Sequence, residues 1–120
     1  GGVSPSGAVL NDVWTSSDTT TWSLQTSLAP WSARTAHGAA TDSVLVWLVG
    51  GATLTPTPST TTASVAGTLS NDVWVGRVHG SSLENAGDVL LWSLRTLHAP
   101  WLPRESCGVA VSQGSVVVFG

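Results

Sequence analysis

The chain of 120 residues contains no lysine and no tyrosine, has a single cysteine, and carries only 9% charged residues. Each scarcity excludes something. At a net charge of −3, with no basic stripe to neutralise a phosphate backbone, nucleic acid is not an expected partner. The lone Cys107 rules out an internal disulfide and any multi-cysteine metal site. Without tyrosine the chain cannot supply a tyrosine nucleophile or a tyrosine metal ligand. The longest apolar run, Val44 to Val49, is far short of the roughly 20 residues with which a helix crosses a bilayer, so no membrane span is expected. No basic start followed by an apolar core resembles a signal peptide, although an opening on Gly1-Gly2 leaves room for a leader upstream. Nor does any segment sustain a helical period.

What is present is apolar and repetitive. Hydrophobic residues make up 42%, and the mean hydropathy of +0.24 suits a packed core rather than disorder. Laid on itself, the chain matches in two registers. Asn11-Asp12-Val13-Trp14 matches Asn71-Asp72-Val73-Trp74. Trp22-Ser23-Leu24 matches Trp92-Ser93-Leu94, Ala29-Pro30-Trp31 matches Ala99-Pro100-Trp101, Arg34 matches Arg104, and Gly38 matches Gly108. Gly1-Gly2 and Gly50-Gly51 each precede one Asn-Asp-Val-Trp, and the second interval is lengthened by the Thr/Ser/Pro-rich tract from Ala52 to Ser70.

The blocks are short, rich in Val, Thr and Trp, and separated by Gly, Ser, Asp and Pro, which predicts β-strands joined by turns. Strands are expected near Asp12 to Ser16, Thr21 to Thr26, His37 to Thr41, Val44 to Val49, Asp72 to Val78, Leu90 to Arg95, Cys107 to Val111 and Ser115 to Phe119. Ser17 to Thr20, Asp42-Ser43 and Ser112 to Gly114 read as tight turns. The tract at 52–70 lacks any apolar period and is expected to be a mobile surface loop. The fold class is all-β.

An apolar strand ending in Gly-Gly, then Asn-Asp-Val-Trp, a second Trp, Ala-Pro-Trp and an Arg shortly before the next strand resembles the Kelch repeat, the four-stranded blade of a β-propeller. The resemblance implies one complete antiparallel blade over residues 37–95, with 52–70 as its insertion. A half blade would flank it on either side, at 1–26 and 107–120. Propellers close with about 4–8 blades, so two blade equivalents are expected to belong to a larger propeller or to pair their terminal halves with another copy, covering edges that would otherwise promote aggregation. Two departures stand out: the absence of tyrosine, and Cys107 in the place of His37.

Most of the repeated residues have a structural reading. Gly50 and Gly51 permit positive φ or close approach. Trp14, Trp22, Trp74 and Trp92, on strands, are expected to fill the wedges between sheets, each buried aromatic contributing on the order of 2–3 kcal/mol. Asp12 and Asp72 are expected to be satisfied by Arg34 and Arg104, or the arginines by backbone carbonyls, as staples rather than catalysts. Cys107 reads as a small core residue. The turn from Ser16 to Trp22 is also similar to the Asp-box of sialidases, but its spacing is one residue short and its glycine is missing.

The resemblance places the loops 27–36 and 96–106 on one face, around a central channel. Trp31, Arg34, His98, Trp101 and Arg104 are the candidate binding rim for a protein, peptide or glycan. No catalytic residue, cofactor or metal ligand is assigned. The function expected is a non-catalytic Kelch-type scaffold for protein interaction or ligand recognition. The alternative is a segment of an extracellular carbohydrate-binding or oxidase-like propeller enzyme whose catalytic residues lie elsewhere. Low charge and the Ser/Thr-rich tract incline the compartment toward secretion or the cell surface.

Overall fold

The computed structural model describes residues 1–42, 44–54, 67–79 and 89–120. The described chain is all-β. Its strands are β1 (Gly2–Val3), β2 (Val9–Leu10), β3 (Val13–Thr15), β4 (Ser23–Thr26), β5 (Gly38–Thr41), β6 (Leu45–Leu54), β7 (Gly67–His79), β8 (Val89–Thr96), β9 (Gly108–Ser112) and β10 (Ser115–Phe119). All pairings are antiparallel. β5-β6-β7-β8 form one four-stranded sheet in sequence order, while β1-β2, β3-β4 and β9-β10 form two-stranded sheets.

Local chemistry sets the turns. Between β3 and β4, Asp18 Oδ1 accepts the amides of Thr21 and Thr20 at 2.7 and 2.8 Å, and Thr19 takes φ 60°. Those two amides hold the Asp18 carboxyl down at about 2. Asp42 accepts the amides of Val44 and Leu45 in the same manner ahead of β6. β9 and β10 meet at Gln113-Gly114, both with positive φ, the geometry that lets a two-residue hairpin follow the strand twist.

Two expectations need correction. β6 and β7 run beyond the apolar cores predicted for them, with Gly51 to Leu54 pairing with Ser70 to Gly67. The ends of the expected 52–70 loop are therefore strand, because alternating Thr and aliphatic residues suit a ladder that the adjoining strands already nucleate. Residues 55–66 and Ser43 of the expected Asp42-Ser43 turn lie outside the described residues. The second correction is β1-β2, a small ladder not anticipated. Its pair Gly2↔Leu10 is the counterpart of Gly51↔Ser70, so it repeats the extension of β6 and β7 on a smaller scale.

The duplication is visible in the bonding. Gly2 N donates to Arg34 O at 3.0 Å and Gly51 N to Arg104 O at 2.9 Å. Arg34 N donates to Leu10 O and Arg104 N to Ser70 O. A β-bulge separates Val13 from Trp14 and another separates Val73 from Trp74. Ala36 and Ser106 share an unusual positive φ, 51° and 55°, and are joined by a hydrogen bond from Ser106 N to Ala36 O of 2.7 Å. The sheets lean together closely at Gly38, where a Cβ would lie 2.3 Å from the Val109 side chain.

Gly51 combines φ 103° with a site where a Cβ would lie 2.8 Å from Thr35 O and 3.0 Å from His37 Cβ. Gly114 has a positive φ but open space around it. Gly51→Ala is therefore expected to lose at least about 2 kcal/mol, and Gly114→Ala about 1 kcal/mol, from the left-handed backbone alone. Chemical denaturation of both variants measures the difference.

Candidate functional site

The best-organised polar centre is Arg34. Its side chain is 2% exposed, and every nitrogen of the guanidinium is engaged. Nη1 and Nη2 donate to the two oxygens of Asp72 at 2.6 and 2.8 Å. Nη1 also reaches Gly50 O at 2.9 Å, and Nε reaches Ser32 O at 3.1 Å. Asp72 Oδ2 further accepts the Trp74 indole N–H at 2.8 Å. Burial pushes the Asp72 carboxyl up, but the Arg34 and Trp74 hydrogen bonds and the arginine's charge outweigh it and hold the group below the usual carboxylate range. A carboxylate locked in a bidentate pair is not placed to take up a substrate proton. The centre staples the loop 27–36 to the strand that opens the second repeat.

The second repeat builds half of the same centre. Arg104 Nε donates to Leu102 O and Nη1 to Gly120 O, matching the Ser32 and Gly50 contacts of Arg34. Asp12 Oδ2 accepts the Trp14 indole at 2.8 Å, as Asp72 does from Trp74. Asp12 and Arg104 do not meet each other; the Gly1 amino group lies 3.2 Å from Asp12 Oδ1.

Sequence reasoning missed the asparagines. Asn11 Nδ2 donates to the carbonyls of Ala29 and Trp31, and Asn71 Nδ2 to those of Ala99 and Trp101. Ala29 N and Ala99 N return bonds to Asn11 O and Asn71 O. Each Ala-Pro-Trp loop is thus clamped on three bonds, and proline within it withholds no needed donor because Ala and Trp carry the contacts. The signal was present in the repetition of Asn beside Asp.

The tryptophans are redistributed relative to expectation. Trp31, assigned to the rim, is 4% exposed and lies in the core with Ala29 and Leu48, against Val13, Trp74 and Trp92. It meets Trp92 edge-on at a centroid distance of 4.3 Å and Trp74 at 6.0 Å. Such T-shaped pairs add about 0.5–1.5 kcal/mol each beyond area burial. Trp74 and Trp92 join the wedge as expected, but Trp14 and Trp22 are exposed. Trp14 stands at the mouth of the cleft between β3 and the four-stranded sheet, and Trp22 lies just ahead of β4. Trp47, not singled out from sequence, is buried. Of the remaining rim residues, His98 is exposed while Trp101 and Arg104 are half-buried. The apolar groups most open to solvent in these two loops are leucines, Leu28, Leu97 and Leu102.

A cleft of about 240 Å³ opens between β3 and the four-stranded sheet, with Asp12, Trp14, Trp31, His37, Trp47 and Trp92 in its wall. Burial first, then the nearby Gly1 amino group and Arg34, pull the His37 pKa down, which keeps the imidazole neutral. Among the described residues, its Nδ1 and the indole nitrogens of Trp31, Trp92 and Trp101 find no hydrogen-bond partner. Cys107 is a buried free thiol beside Gly38. Among the described residues no three of His, Cys, Asp and Glu gather at one point, and no helix is long and apolar enough to cross a membrane. Comparison of the chain with protein-family models and with curated proteins finds no match.

Arg34→Leu or Asp72→Asn leaves the other member buried and unanswered, and each is expected to cost about 3–5 kcal/mol. Because the Asp72 pKa is depressed in the folded state, its stabilisation is complete above about pH 4 and is lost as the pH falls through the native value. Melting temperature against pH, from 7 to 2, should therefore drop less steeply at the acid end in Asp72→Asn than in the wild type.

Proposed function

We propose that the chain is a non-catalytic, Kelch-type propeller scaffold that recognises a protein or peptide through the loops 27–36 and 96–106. The observation that carries this reading is the contrast within those loops. Their backbones are fixed by Asn11, Asn71, Arg34 and Arg104, yet Leu28 is 77% and Leu102 80% exposed. A long aliphatic side chain held out on rigid backbone loses little entropy on docking, which is the economy of a preorganised binding surface. Four-stranded antiparallel pairing, the leaning of adjacent sheets at Gly38 and the repeat of one bonding scheme at two places support the propeller arrangement. The recognition surface differs from the rim read out of the sequence. Trp31 and Arg34 hold the loop from beneath, and Leu28, Leu97, His98 and Leu102 form the contact.

A displayed random-peptide library selected on the immobilised chain tests this. Enriched peptides are expected to bind the wild type at micromolar dissociation constants and the Leu28→Asp/Leu102→Asp variant more than tenfold more weakly. Both substitutions are exposed, so stability should change by no more than about 0.5 kcal/mol each. Failure to enrich any peptide, or equal binding to the variant, would remove the reading.

A further inference from the structure

We infer that recognition is set at three outward positions of each loop, and that Leu97, His98 and Leu102 select an uncharged, apolar peptide segment. The inference rests on the reading of the loops as the recognition surface, and adds which residues choose the partner and the partner's chemistry.

The duplication separates these positions from the rest. From Thr26 to Arg34 and from Thr96 to Arg104 the two loops align residue for residue. Ala29, Trp31 and Arg34 recur unchanged as Ala99, Trp101 and Arg104, and these residues carry the asparagine clamps and the guanidinium contacts. The residues that differ are Ser27 and Leu97, Leu28 and His98, Ser32 and Leu102, and Ala33 and Pro103. Both members of the first three pairs are exposed. The first loop is bonded to Leu10 on one side and to Ala52 on the other, yet Ser27, Leu28 and Ser32 still face solvent. Outward exposure therefore belongs to the conformation of the loop itself. Change at side chains that stand in solvent leaves the fold intact and alters what the surface meets.

The second loop carries the more apolar set. Leu97 is 57% and Leu102 80% exposed, where the first loop has serine at both positions and Leu28 alone. Asn71 Nδ2 bonds the carbonyls of both Ala99 and Trp101, which folds the loop around one nitrogen and keeps its leucine-bearing ends close. No Asp, Glu or Arg occurs from Thr96 to Pro103, and Arg104 spends its donors on the carbonyls of Leu102 and Gly120. Such a surface gains from burying aliphatic or aromatic side chains and offers a bound charge no permanent partner. Exposed His98 adds a ring N–H that donates to a backbone carbonyl of the bound segment.

The test takes peptides enriched from a displayed random library on the immobilised chain and measures them against variants that trade the outward sets. Leu97→Ser/His98→Leu/Leu102→Ser gives the second loop the surface of the first and should weaken binding more than about tenfold. Leu28→Ser should weaken it by only about threefold. Ser27→Leu/Leu28→His/Ser32→Leu copies the second set onto the first loop and should add a further binding event per chain in calorimetric titration. All these residues are exposed, so circular dichroism and melting temperature should match the wild type. The enriched peptides should be rich in aliphatic and aromatic residues, with affinities that change less than about twofold between low and high salt. Loss as great in Leu28→Ser as in the second-loop variant, a copied set that adds no binding event, or binding that falls with salt would overturn the inference while leaving the loops as the recognition surface. Failure of any peptide to enrich would remove both.

Discussion

A guanidinium closed off from water must have its donors answered within the protein, and at Arg34 the answers come from three separated stretches of chain. Ser32 belongs to the same loop, Gly50 to the bulge of β6 and Asp72 to the middle of β7. The geometry of all three is therefore set by one planar fork. A buried ion pair is weak grounds for net stability, since desolvation offsets most of its attraction. Its consequence here is specificity: a shift of the loop or of β7 leaves a buried charge unpaired. This is why the Ala-Pro-Trp loop sits where Trp31 can enter the seam.

The seam itself is filled from a loop rather than from the strands alone. Trp31 clusters with Ala29 and Leu48, and Val13 of β3 packs against that cluster together with Trp74 and Trp92, so the loop joins the β3-β4 unit to the four-stranded sheet. Asn11 and Arg34 hold the loop on either side of that ring. Packing and polar bonding are thus coupled in each repeat, and the small residues Gly38 and Gly51 permit the close approaches that result.

Much of the fold was legible in the sequence. Strands β3 to β10 fall on the stretches marked by Val, Thr and Trp between turn formers, and Asp18 and Gln113-Gly114 turn the chain as their chemistry dictates. The pairing of a repeated Asp with a repeated Arg was also visible, because two charges recurring at fixed places in an uncharged chain need partners. What could not be read was the crossing: Arg34 answers Asp72 of the following repeat, not Asp12 of its own. Nor could the bulges at Val13/Trp14 and Val73/Trp74, which displace the strand by one residue and so decide the face on which a side chain stands.

By itself the sequence determined the strands, the turns, the duplication and the kinds of residue each repeat uses, since these follow from local propensity and from the need to satisfy repeated charges. Tertiary structure alone decided which of the seven tryptophans are buried. Trp14 and Trp74 occupy the same place in the same four-residue string, yet one faces solvent and the other packs on Trp31. Burial depends on what packs across the ring, here Trp31 from its loop against Trp74, and that is a property of neighbours, not of the string.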